Sequence, residues 1–143
     1  MVAAGCAALV VGSAASAQSV EVRLNAIRTA FVKNDAQALS RQFPSKDRVF
    51  VALPRLEAGA FLGPGPLRAL LDRLTRETRT VDFAFVEPER AIAAATGDML
   101  YLKALWTYRT PEADTPRADE LYLSLRRQPE DGEWRIVEIK VAR

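Results

Sequence analysis

The residues that could do chemistry in this 143-residue chain are three tyrosines, two tryptophans and a scatter of arginines and carboxylates; it has no histidine and one cysteine, Cys6. Without histidine, a Ser–His–Asp triad and every His-containing zinc or iron site are excluded. A single cysteine forms no disulfide within the chain. Acid–base work would then fall to a carboxylate whose pKa is raised by burial, with a tyrosine as donor to a developing oxyanion. Asp82 and Glu120 are the candidate bases, and Tyr101, Tyr108 and Tyr122 the candidate donors. Asp82 is the poorer base, because the apolar Val81 and Phe83 beside it would face the core and turn it to water. For binding, the candidates are Trp106, Tyr108 and Tyr122 on adjacent long strands, with Arg55 after the bend at Pro54. Meeting at an open mouth, they could hold a small amphipathic or anionic molecule by stacking and charge-assisted hydrogen bonds. The competing reading is that the same four residues simply pack the sheet or pair across strands.

Charge and motifs narrow the classes further. Twenty basic against eighteen acidic side chains leave +2, with the basic residues interspersed among acids. That is not the clustered basic face a nucleic-acid partner needs. The "GPGP" at Gly63–Pro66 puts prolines where a phosphate cradle needs backbone N–H donors, so it reads as a turn. No acidic stretch has calcium-loop spacing, and no cofactor is implied.

Residues 1–17, "MVAAGCAALVVGSAASA", carry no charge and end in Ala15-Ser16-Ala17. They are too short and too rich in alanine and glycine to span a bilayer. They match the apolar core and small-x-small cleavage site of a secretory signal peptide, although no Lys or Arg precedes them. A periplasmic or secreted protein is the expectation, with residues 18–143 as one domain. Lipid anchoring through Cys6 is the weaker alternative, because almost no apolar segment precedes it.

The elements that must position the candidates can be read from periodicity. Val20, Leu24, Ile27 and Phe31 recur at helical spacing, and Asp35 suits the N-cap of a short second helix ended by Pro44. "RVFVALPRL" predicts a strand broken at Pro54, with a loop after it over Gly59–Pro66. Leu67, Leu70, Leu71 and Leu74 predict a helix from Pro66 to about Arg79. The period then changes to two: Val81, Phe83 and Phe85; Leu102, Ala104, Trp106 and Tyr108; Leu121, Leu123 and Leu125; Val137, Ile139 and Val141. Asp131-Gly132 marks a tight turn before the final strand.

Helices first and strands last imply an α+β domain, a curved antiparallel sheet with N-terminal helices packed on its concave face. Helix 20–33, the adjoining "VKNDAQALSRQF" and the terminal "GEWRIVEIKV" resemble the nuclear transport factor 2-like superfamily, the cystatin-like α+β cone, and its uncharacterised exported bacterial members. The resemblance implies that the last strand completes the sheet and that any active site lies in the cone pocket. Trp134, a large aromatic after a turn, is expected in the core. Members include both enzymes and domains without activity, so the fold leaves function open. The expectation is an exported, non-catalytic binding or association module for a small molecule or protein partner. The alternative is a metal-independent acid–base isomerase or hydrolase. Association would use the outer face of the sheet, in a homodimer, with Leu102, Ala104, Trp106 and Leu121 as its apolar patch. A polar-lined hollow cone would mark a binder or enzyme, and a filled cone an association module.

Overall fold

The computed structural model describes residues 19–95 and 97–142; the 1–17 segment lies outside them. Helix α1 covers 19–32. Its Val20, Leu24, Ile27 and Phe31 are all buried, as their spacing predicts, and each contributes about 1.5–3 kcal/mol relative to exposure. The helix stops at "ND" for a reason the backbone makes plain. Asn34 adopts the left-handed conformation at φ 55°. Its N–H donates to Phe31 O at 3.0 Å, and Asp35 N–H donates to Ala30 O at 3.1 Å. Those two bonds form a Schellman cap, which satisfies carbonyls that the last turn would otherwise leave open. Asp35 then starts α2 (Ala36–Ser40), its Oδ1 accepting from Ala38 N at 3.1 Å. One dipeptide therefore ends one helix and begins the next.

Strand β1 (Val49–Leu53) runs into a 3-10 turn at Pro54–Leu56 and returns as β2 (Ala58–Leu62). Part of the stretch expected to be a loop is thus an edge strand, antiparallel to β1. Its three small residues conceal the β signal, and cross-strand contact of Phe61 with Phe50 (ring centroids 5.2 Å apart) supports it. Helix α3 (Pro64–Glu77) starts earlier than expected, at the first proline of "GPGP". It buries Leu67, Leu71 and Leu74, and Thr78 closes it by donating from Oγ1 to Leu74 O at 2.7 Å.

Strand β3 (Arg79–Phe85), a short helix α4 (Pro88–Ala94), and the strands β4 (Met99–Arg109), β5 (Arg117–Arg127) and β6 (Trp134–Val141) complete the chain. The six strands form one unclosed sheet in the order β2-β1-β6-β5-β4-β3. The final strand sits inside the sheet, not at its margin. It pairs antiparallel with β5 and parallel with β1, joining the β1–β2 hairpin to the β3–β5 meander. Trp134 is buried at its start, with the Arg127 guanidinium 5.8 Å from its ring centroid.

Two bulges correct the strand alternation. A register shift between Thr80 and Asp82 turns Val81 outward, where it is 48% exposed. Another between Ser124 and Leu125 aligns Ile136 with Leu125 and Ile139 with Leu123, so the buried pair in β6 is Ile136 and Ile139. Each bulge inserts one residue and so reverses the facing of the side chains beyond it. A larger correction concerns the expected outer patch. Leu102, Ala104, Trp106 and Leu121 are all buried and belong to the core. Their alternation is as expected, but the face they occupy is the one the helices cover.

Candidate functional site

The space between sheet and helices is filled. Its residual cavity is about 10 Å³, lined by residues such as Phe31, Leu39, Leu71, Trp106, Leu121 and Ile139, with no titratable side chain on its wall. That is at most room for one water, against the roughly 300–1,000 Å³ of a small-molecule site.

Three of the four residues expected to bind meet at one end of this packed interior. Trp106 stacks on Tyr108 with centroids 4.1 Å apart, and the Arg55 guanidinium lies 5.9 Å from the Tyr108 centroid. Phe31 joins them to the rest of the core, stacked on Phe83 at 4.3 Å and edge-on to Trp106 at 5.8 Å. The polar ends of this aromatic column are satisfied within the chain. Trp106 Nε1 donates to Thr80 Oγ1 at 2.9 Å, and Tyr108 Oη donates to Asp119 Oδ2 at 2.8 Å. Burial, reinforced by Asp119, pushes the Tyr108 phenol up to about 12. Arg55 Nη2 reaches Glu112 Oε2 at 3.5 Å, while its Nε–H is buried with no hydrogen-bond partner among the described residues.

Tyr122 is not part of this group. It lies on the opposite face of β5, 42% exposed, opposite Lys103 and Lys140 on the flanking strands. The other acid–base candidates are also outside: Asp82 and Tyr101 are exposed, and Glu120 bridges to Lys103 at 3.1 Å on the outer face. The carboxylate that does meet an inward tyrosine is Asp119, which is not among the candidates that residue type and alternation single out. It stands two residues before Leu121, in phase with the inward set Leu121, Leu123 and Leu125. That phase is the signal that could have found it. The Tyr108–Asp119 pair resembles a donor and base in kind, but neither residue lines the interior cavity or the surface cleft.

A surface cleft of about 790 Å³ lies at the end of the sheet where α1 begins and β5 turns into β6. Four distant segments line it: the start of α1, the loop from α2 to β1, the start of α3 and the β5–β6 turn. Arg23 lines it, with Nη1 donating to Gln42 Oε1 at 2.6 Å and Nη2 3.8 Å from Glu133. Gln42 is itself buried and fixed: its Nε2 donates to Ala38 O at 2.9 Å and its backbone carbonyl accepts from Ile136 N–H at 2.8 Å. Burial, and then the nearby Arg135, lower the pKa of the Arg23 guanidinium. Arg135 reaches Asp131 at 3.4 Å. Arg41, Lys46 and Arg68 add three more positive charges to the wall, against Asp47, Glu130 and Asp131. Asp47 pairs with Arg126 and Arg68 with Asp72, while Arg41 and Lys46 have no ion pair among the described residues. Phe43 and Leu67 supply an apolar side.

No helix among the described residues is long and apolar enough to cross a membrane. No protein-family model matches the chain, and no curated protein matches it by sequence. Solved structures do match. A hypothetical protein of ketosteroid isomerase-like fold from Catenulispora acidiphila, in complex with trimethylamine, aligns at TM-score 0.62 and 17% identity, over 85% of this chain and 84% of that one. A nuclear transport factor 2-like protein with a cystatin-like fold from Novosphingobium aromaticivorans aligns at TM-score 0.59 and 17% identity, over 94% and 86%. A putative calcium/calmodulin-dependent protein kinase type II association domain from Thiobacillus denitrificans aligns at TM-score 0.59 and 16% identity, over 85% and 91%. At these identities the likeness is one of architecture, and it agrees with the strand order and helix placement above: this chain has the nuclear transport factor 2-like fold.

Proposed function

We propose that this chain is a non-catalytic binding module whose working surface lies outside the cone. The observation that carries the reading is the filled interior, with a residual cavity of about 10 Å³ and no titratable lining group. A metal-independent isomerase or hydrolase would need a substrate-sized void with its acid and base converging on it. Arg55, Trp106 and Tyr108 act as the packed end of the core, and Tyr122 belongs to the outer face. Methyl NMR of the leucines during a fragment-library titration tests this. Shifts gathered at the cleft or the outer sheet are expected, and a ligand inserting among Leu71, Leu74 and Leu121 would overturn it. Export is part of the same reading, carried by the uncharged 1–17 segment and its Ala15-Ser16-Ala17 end. Cell fractionation should recover a chain starting at Gln18 outside the cytoplasm, and a cytoplasmic chain retaining residues 1–17 would refute it.

A second surface supports association. Tyr101, Leu105 and Tyr122 are exposed together on the outer face of β4 and β5, at 66%, 43% and 42%. Lys103 and Glu120, paired at 3.1 Å, interleave with them. Such a mixed face can pair with a second copy of itself. Light scattering should then report a dimer that Tyr122→Glu dissociates; a monomer at high concentration would discard this surface.

A further inference from the structure

Among the described residues, two side-chain donors are buried without a hydrogen-bond partner, Arg23 Nε and Arg55 Nε. An unpaired buried donor costs about 1–3 kcal/mol, and more on a charged group. Arg55 has an aromatic ring and a carboxylate beside it. Arg23 stands in the large cleft with a second arginine near enough to disfavour its charge. The acids close to the two offset this only in part: Glu133 is 3.8 Å from Arg23, and Asp131, whose Oδ1 accepts from the backbone N–H of Glu133 at 2.9 Å, meets Arg135 through Oδ2 at 3.4 Å, yet the net effect still lowers the Arg23 pKa.

Building on the reading that ligands act outside the cone, we propose that this cleft is a binding site for a small organic anion, a carboxylate or phosphate carried on an apolar body. The anionic head lies between Arg23 and Arg135, where planar guanidinium groups offer bidentate donors. Gln42 holds Arg23 in place through its Oε1 at 2.6 Å, and the buried position of Gln42 keeps that orientation fixed. The body of the ligand rests on Phe43 and Leu67, within a cleft of about 790 Å³. Arg41 and Lys46 at the rim draw anions toward it. No single segment of the chain makes the site, so it exists only in the folded protein.

Isothermal titration of the full chain with benzoate and with phenyl phosphate tests the assignment, benzyl alcohol serving as the neutral control. The two anions bind, benzyl alcohol does not, and affinity falls as sodium chloride is raised. Arg135→Gln weakens both anions at least tenfold while the chain still melts cooperatively. The exposed rim variant Arg41→Glu/Lys46→Glu, which leaves packing untouched, weakens them severalfold. Absence of anion binding to the unaltered chain overturns the assignment, as does undiminished binding in both variants. The leucine methyl spectrum separates this from the broader reading. Benzoate lodged among Leu71 and Leu74 would sink both, whereas anions that bind nowhere, with the interior still closed, would sink only the cleft.

Discussion

Arg23 and Arg55 sit in regions built on opposite principles. Arg55 ends an aromatic column that runs from Phe83 through Phe31, Trp106 and Tyr108. Its indole, phenol and guanidinium tips reach Thr80, Asp119 and Glu112 in the chain, and Arg55 Nε, though unpaired, lies on a guanidinium held by a ring and a carboxylate. Arg23 stands in an open cleft beside another arginine, with its nearest carboxylate 3.8 Å away. Charge at the first end is consumed by the fold, while charge at the second is left over. Aromatic and polar residues gathered at one end of a sheet are therefore a poor guide to a site when their donors are already satisfied. An excess of like charge held in place by buried neighbours is the better one.

The comparison can be broken most forcefully at the column. Phe31 touches both Phe83 and Trp106, so Phe31→Ala should cost about 3–5 kcal/mol in urea denaturation. A loss under about 1 kcal/mol would mean the interior is loosely filled and able to admit a ligand. Tyr108→Phe should cost about 1–1.5 kcal/mol at neutral pH, because it leaves Asp119 without its donor. It also sharpens the contrast through pH. The folded-state phenol pKa is raised from 10.0 to about 12, so its contribution is complete below pH 10 and is lost as pH rises toward 12. Denaturation at pH 8 and pH 11 should show that loss in the unaltered chain and less of it in Tyr108→Phe. The smallest effect discriminates best. Arg55→Gln should cost about 1 kcal/mol from lost cation–π and ion-pair contacts. Arg135→Gln, in buffer free of organic anions, should change stability by no more than about 0.5 kcal/mol or increase it, since it removes repulsion from Arg23. Equal losses at the two arginines would erase the distinction.

Much of the column is legible in the sequence because its information is local. The spacing of Leu24, Ile27 and Phe31 marks the buried stripe, Asp35 marks the cap, and the alternation along β4 places Leu102, Ala104, Trp106 and Tyr108 together. Alternation does not say which side the helices cover, and so the set expected on the outer face is core. Bulges are equally silent: one extra residue near Val81 is enough to expose it. Strand β2 is hidden by Ala58, Gly59 and Ala60, which carry almost no β propensity. The cleft is the least legible. Arg23, Gln42 and Arg135 lie on three separate segments, and no spacing in the sequence links them. The bond from Ile136 to Gln42 ties β6 to the segment after α2, and the bond from Arg23 to Gln42 adds α1, so that tertiary contacts bring them to one place.

The central position of β6 has a kinetic side. Phe50 pairs with Glu138 across most of the chain's length, and no other strand can bridge the hairpin to the meander. During synthesis both half-sheets emerge first, each with a raw edge where β6 will lie. The core can therefore close only after the last of these strands has left the ribosome. Contacts this distant in sequence make for slow folding, and until they form, the edges of β1 and β5 can template intermolecular pairing. A chaperone or a low local concentration would matter more to this small protein in its first seconds than at any later time.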